Sequence, residues 1–132
     1  MFFIALLIIA IWVNRADKGA LFLSLVIGTS AFAYIPLGLI TDRDSWFMIV
    51  LFSDALIICV AGAIWCRASI PIMGLSFMLC VGHLIDWKYG TDPIYYQIAN
   101  WLEYLEIVSC IIFSPVVLES IKQRIRYALR NN

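Results

Sequence analysis

The stretch LFSDALIICVAG, residues 51–62, decides the fold. Apart from Asp54, every residue in it is apolar or small, and no lysine or arginine lies within ten positions of that aspartate. An amphipathic element of a soluble domain alternates its polarity at the period of a strand or a helix. This run has no polar face, so its solvent is lipid. A charge at mid-bilayer costs at least about 2.5–3.5 kcal/mol on insertion scales, so Asp54 is expected to turn toward protein or water.

The rest of the chain agrees. Of its 132 residues, 64% are hydrophobic and 14% charged, against roughly 45–50% and 25% in soluble domains. A domain this small has too much surface per unit volume to hide so many apolar side chains from water. The net charge is zero, which leaves no general electrostatic footprint for nucleic acid. Cys59, Cys66, Cys80 and Cys110 lie inside apolar runs without a Cys-x-x-Cys pair. They read as small packing residues, not as a disulfide or zinc framework. The opening MFFIALLIIAIWV lacks a positive n-region and a small-residue cleavage site, so a retained first helix is expected there.

Five apolar runs follow one another at about 2–13, 20–40, 46–66, 68–87 and 100–118. They predict an all-α integral membrane protein, a single polytopic domain over residues 1–132 folded as a compact bundle of about five transmembrane helices. A span needs about 20 residues to cross a hydrocarbon layer of roughly 30 Å. The second to fourth runs reach that length and the first is short, which local bilayer thinning can accommodate. With an odd number of spans and the C-terminus inside, Arg15, Lys18, Arg67, Lys122, Arg124, Arg126 and Arg130 are cytoplasmic, and only Arg43 and Lys88 are outside. That is the positive-inside bias, and it sets the N-terminus out. Trp12, Trp46, Trp65, Trp87 and Trp101 fall at the expected span ends, where an amphipathic ring prefers the headgroup level.

Asp92 and Pro93 read as the N-cap and first-turn proline of the last helix. That helix is expected to skim the outer surface through IYYQIAN, enter the membrane near Trp101 and kink at Pro115. Beyond it, in the tail 119–132, Ile121, Ile125, Ala128 and Leu129 form an apolar stripe opposite Lys122, Arg126 and Arg130. With Arg124, these basic residues predict an amphipathic helix lying on the anionic cytoplasmic leaflet.

The ionisable residues inside the spans are the candidate site. At about 1.5 Å per residue, Asp54 lies roughly 12 Å below Trp46, His83 roughly 6 Å below Trp87, and Glu106 roughly 7 Å below Trp101, with Glu103 near the surface. The expected cluster of Asp54, His83, Glu103 and Glu106 therefore gathers in the outer half of the bilayer. His83, Glu103 and Asp86 are close enough to the interface to be hydrated without a protein partner. Asp54 can stay protonated or pair with His83, the only histidine. Helical spacing puts Ser69, Met73, Ser76, Cys80 and His83 on one face, and Ala99, Glu103, Glu106, Cys110 and Ser114 on another. Ala20, Ser24, Gly28 and Ala31 line the second helix. Asp54 shares its face with Ile58, Ala61 and Gly62. Small residues such as Ser24, Gly28 and Gly62 allow close helix approach in lipid. The first helix carries no such stripe and is expected to face lipid on most sides.

No metal site is expected, because the acids and His83 lack paired-His or Cys-His spacing. Phosphate loops, His-Glu-x-x-His and Gly-x-Ser-x-Gly are absent from the sequence. Minimal size, short loops and a charged C-terminus resemble phage holins in outline, though five spans exceed the usual holin plan and no motif carries the likeness. The resemblance implies a self-associating pore former, with an accessory subunit of a membrane complex as the neighbouring possibility. The partners expected are the bilayer and further copies or other membrane subunits, in a plasma membrane of bacterial inner-membrane type. The intramembrane acids suggest a proton- or cation-coupled translocator using Asp54 and Glu106. A membrane-embedded enzyme acting through His83 on a lipid-borne substrate stands third.

Overall fold

The computed structural model describes residues 2–40, 42–90 and 93–130, with side chains described throughout except at 2, 34–40, 93, 94 and 96. Among the described residues all regular structure is helical: α1 (Phe2–Asn14), α2 (Lys18–Ile40), α3 (Arg43–Ile64), α4 (Ser69–Tyr89), α5 (Pro93–Ile112) and α6 (Pro115–Arg130). Side-chain caps set several of the breaks. The Asp17 carboxylate accepts from the Ala20 N–H at 3.0 Å, and Asp42 accepts from the Ser45 N–H at 3.1 Å. Each satisfies a donor that the first helical turn would leave open. The Ser45 bonds hold the Asp42 carboxyl below its ordinary range. At the far end of α3, Trp65 closes the helix in the left-handed conformation at φ 50° and donates its N–H to the Ala61 carbonyl.

The first five helices pack as a ring. Each touches its neighbour in sequence, α5 closes the ring against α1, and α2 also meets α5 across it. The core is formed by Ala10, Leu23, Ile27, Ile57, Ala61, Ile72, Ile107 and Cys110, and lies toward the α1–α2 and α3–α4 turns. There, Asn14 is fully buried and its amide donates to the carbonyls of Ala10 and Cys110, both at 3.0 Å. This bond fastens α1 to α5. The expectation that α1 faces lipid on most sides is therefore corrected: Ala10, Val13 and Asn14 are buried. At Gly28 an added Cβ would lie 2.6 Å from Leu7 Cδ2, so the missing side chain lets α1 and α2 approach. Ser24 is buried and returns its hydroxyl to the Ala20 carbonyl at 2.8 Å. A Cβ at Gly62 would meet only Met73, at an ordinary 3.9 Å.

By length and composition, α3 and α4 are each apolar enough to cross a membrane, and α5 with α6 passes only as a pair bent by 61°. α1 and the described part of α2 are shorter apolar helices. The break before α6 is sharper than a kink. Pro115 has no N–H to continue α5, and Ser114 Oγ accepts from the Val117 N–H at 3.3 Å, capping the new helix. The last apolar run thus ends at Ile112 instead of reaching 118. Asp92, the expected cap of α5, lies outside the described residues.

Candidate functional site

Helical spacing turns the polar residues inward. On α3 the buried positions are Phe47, Val50, Asp54, Ile57 and Ala61, and on α4 they are Ser69, Ile72, Ser76, Leu79, His83 and Asp86. α5 contributes the buried Ala99, Glu106, Ile107 and Cys110, with Glu103 half-buried. Asp54 and Glu106 are each only 2% exposed, so neither carboxyl reaches solvent or lipid.

Two contacts organise these groups. His83 Nε2 lies 3.3 Å from Asp54 Oδ2, within ion-pair reach but off the line of a well-aligned hydrogen bond. The other ring nitrogen, Nδ1, is hydrogen-bonded to the Tyr95 hydroxyl. With Nδ1 accepting from the phenol, the ring proton sits on Nε2 and faces the Asp54 carboxyl at ion-pair range. The result is a carboxyl–imidazole–phenol line across α3, α4 and α5. The second contact is deeper: Ser76 Oγ donates to Glu106 Oε1 at 2.5 Å. A void of about 10 Å³ lies among Asp54, Glu103, Glu106 and Ser30, close to the lower limit for one water molecule.

Above this void, at the end that carries the α2–α3 and α4–α5 turns, is a partly open cleft of about 460 Å³. Its polar lining includes His83, Tyr95, Asn100 and Glu103, and Glu103 also borders the void. The aromatic side is built by edge-to-face contacts of Phe3 with Phe32 and with Tyr104, at centroid distances of 6.1 and 5.7 Å. Gly82 matters here because a Cβ would lie 3.0 Å from Tyr95 Cε2. Its absence lets the phenol lie against α4 and reach His83.

Comparisons with family models, curated proteins and solved structures find no match.

The structure therefore brings Asp54 and His83 into contact, places Asp54, Glu103 and Glu106 around one void, and puts His83 and Glu103 in the same cleft. Three expectations change. Within IYYQIAN, Tyr95 packs on α4 and Ala99 is buried, so α5 joins the bundle ahead of Trp101. Trp101 consequently does not mark the level at which α5 joins the bundle. Glu106 lies further from the Trp87 end of the bundle than the count from Trp101 gave, because its partner Ser76 precedes Trp87 by eleven residues, roughly 16 Å of helix at about 1.5 Å per residue. His83 and Asp86 are also buried where hydration was expected. The Asp86 carboxylate has no hydrogen-bond partner among the described residues, while its backbone carbonyl accepts from Arg43 at 3.2 Å.

Tyr95 is the site residue that sequence reasoning missed. The signal was present: Tyr95, Ala99, Glu103 and Glu106 follow at helical intervals of 4, 4 and 3, one face of a helix starting at Pro93. Among the described residues no group of three or more His, Cys, Asp or Glu is placed to hold a metal ion. Lys122, Arg124, Arg126 and Arg130 lie far from the cluster on α6, where every residue from 121 to 130 is exposed.

Proposed function

We propose that this chain is a five-span membrane protein, N-terminus out, and that its buried acid cluster is the proton-exchange site of a small translocator opening to the outside. The exposed Phe22, Phe52, Ile70, Phe77 and Met78 present lipid-compatible surface on α2, α3 and α4. The charge bias of the loops supports the orientation. α6 then lies on the inner leaflet with its basic side toward anionic headgroups.

One observation carries the reading: the line from Tyr95 in the cleft, through His83, to Asp54. Protonatable groups at membrane depth that face one another, not lipid, mark proton relays. The void between Asp54, Glu103 and Glu106 suits a proton or a single water better than a hydrated metal ion. A second copy, or another subunit, would complete the pathway toward the inside, since a single ring of five helices has its apolar core at that end.

Proton movement into liposomes containing the purified protein and a pH-sensitive dye tests the proposal. Asp54→Asn should abolish proton flux while leaving insertion and folding intact. Equal flux from the variant, or none above empty liposomes from the wild type, refutes it. The competing holin-like pore would depolarise cells abruptly when expression is induced and would do so with Asp54→Asn as well.

A further inference from the structure

We propose that the outward cleft binds a lipophilic organic cation, an ammonium or phosphonium centre carried on an apolar body, with Glu103 as its counter-ion. The inference rests on the translocator reading and names its substrate class. Aromatic rings dominate the lining: Phe3, Phe32, Trp46, Phe47, Tyr95 and Tyr104. Aromatic faces attract cations, most strongly where water is excluded. The volume, about 460 Å³, is in the range of roughly 300–1,000 Å³ typical of small-molecule sites. Among the described residues the cleft is lined mainly by apolar side chains with one acid, Glu103, and by no lysine or arginine. An anionic guest would be repelled by that carboxylate, and a neutral guest would leave it desolvated without a counter-charge.

The groups around Glu103 point the same way. α3 presents Asp54, α4 presents His83 and, behind it, Cys80, and α5 presents Glu106, Tyr95 and Tyr104. α1 has no ionisable side chain between Phe3 and Val13, and the described part of α2 brings only Ile27, Ser30, Ala31 and Phe32 to the cleft and void. The Arg43 guanidinium stacks on Phe47 at 5.6 Å and donates to the Asp86 carbonyl, and Arg43 is not among the described lining residues. The acids around the cleft and void thus come from α3 and α5, with His83 the group that α4 adds. A bound cation and a proton on Glu103 compete for the same charge, which is how an entering proton would expel the cation. Because Glu103 borders both cleft and void, a proton released there has the Asp54 and Glu106 carboxyls as immediate acceptors.

Binding of radiolabelled tetraphenylphosphonium to the purified full chain in detergent, read by scintillation proximity, tests this. The expected result is saturable binding at pH 8.5 that weakens about tenfold or more at pH 5.5, and by about as much in Glu103→Gln at pH 8.5. Tetraphenylborate, the same shape with the opposite charge, should not compete. Binding that is insensitive to both pH and charge, or competition by tetraphenylborate, overturns the proposal. Should Glu103→Gln fail to fold by size-exclusion chromatography, the pH profile and the borate competition on the wild type decide alone. Proton flux without phosphonium binding would sink the substrate class and spare the translocator; charge-selective phosphonium binding without flux would do the reverse.

Discussion

Gly82→Ala separates what the bundle needs from what the site needs. In the middle of α4 the substitution removes a glycine penalty of about 0.8–1.0 kcal/mol in helix propensity. Against this, the new Cβ would stand 3.0 Å from Tyr95 Cε2, with Cδ2 and Cζ at 3.8 and 3.9 Å, so the ring has to move by a few tenths of an ångström. That shift acts directly on the hydrogen bond from Tyr95 to His83, and losing such a bond costs about 0.5–1.5 kcal/mol. The two effects nearly cancel, so stability against denaturing detergent should change by less than about 1 kcal/mol. The site should change clearly. His83 is the only histidine in the chain, so imidazole ¹⁵N NMR reports on it without assignment ambiguity. Its Nδ1 resonance should move toward the value seen in Tyr95→Phe, and proton flux should fall with it. An unchanged Nδ1 resonance, or strong destabilisation with a native resonance, would refute the assignment of Tyr95 as the partner set by Gly82.

Other outcomes follow from single contacts. Ser76→Ala removes the donor to Glu106 and should lower stability by about 0.6–1.7 kcal/mol, the range for hydrogen bonds between membrane helices. A detergent-unfolding midpoint equal to that of wild type would contradict it. Asp42→Ala deletes the cap of α3 and should lower stability at neutral pH. Because folding depresses the Asp42 carboxyl, its contribution is present above the unfolded value of 3.8 and fades as pH falls through the lower folded value. The gap between wild type and variant should therefore close at acid pH in a pH series of thermal melts. Replacing Lys122, Arg126 and Arg130 with glutamine should weaken association of α6 with anionic lipid by about 1 kcal/mol per residue. Protease accessibility of the tail in nanodiscs should rise, more so in phosphatidylserine than in phosphatidylcholine.

Helix existence was legible from the apolar runs, each too long to be a strand, and the described residues form α1 to α5 over them. The pairing of Asp54 with His83, which the structure puts 3.3 Å apart, was legible as one of two alternatives, the other being a protonated Asp54. The level at which α5 joins the bundle was not. It was read from Trp101 as an interfacial anchor, but Trp101 is 69% exposed on the helix flank and says nothing about where the packing starts. The contacts that set the register, Tyr95 on Gly82 and Glu106 on Ser76, join residues 13 and 30 apart in sequence, across two helices. No local period encodes such a pairing. The same holds for α1. Its sequence is apolar on all sides, so periodicity could not show that Ala10 and Asn14 face α5. The amide of Asn14, at the C-terminal end of an apolar helix, was the clue, because an apolar site tolerates it only with carbonyls to bond.

The closing of the ring between Asn14 and the Cys110 carbonyl spans 96 residues. During synthesis α1 emerges first, and the helix that receives its amide emerges last among the five. The loop to be closed is 96 residues long, an entropic burden that grows only slowly with length. A chain that stops short of α5 lacks the Cys110 carbonyl that the buried Asn14 amide bonds, so the fifth helix completes the seat of the first.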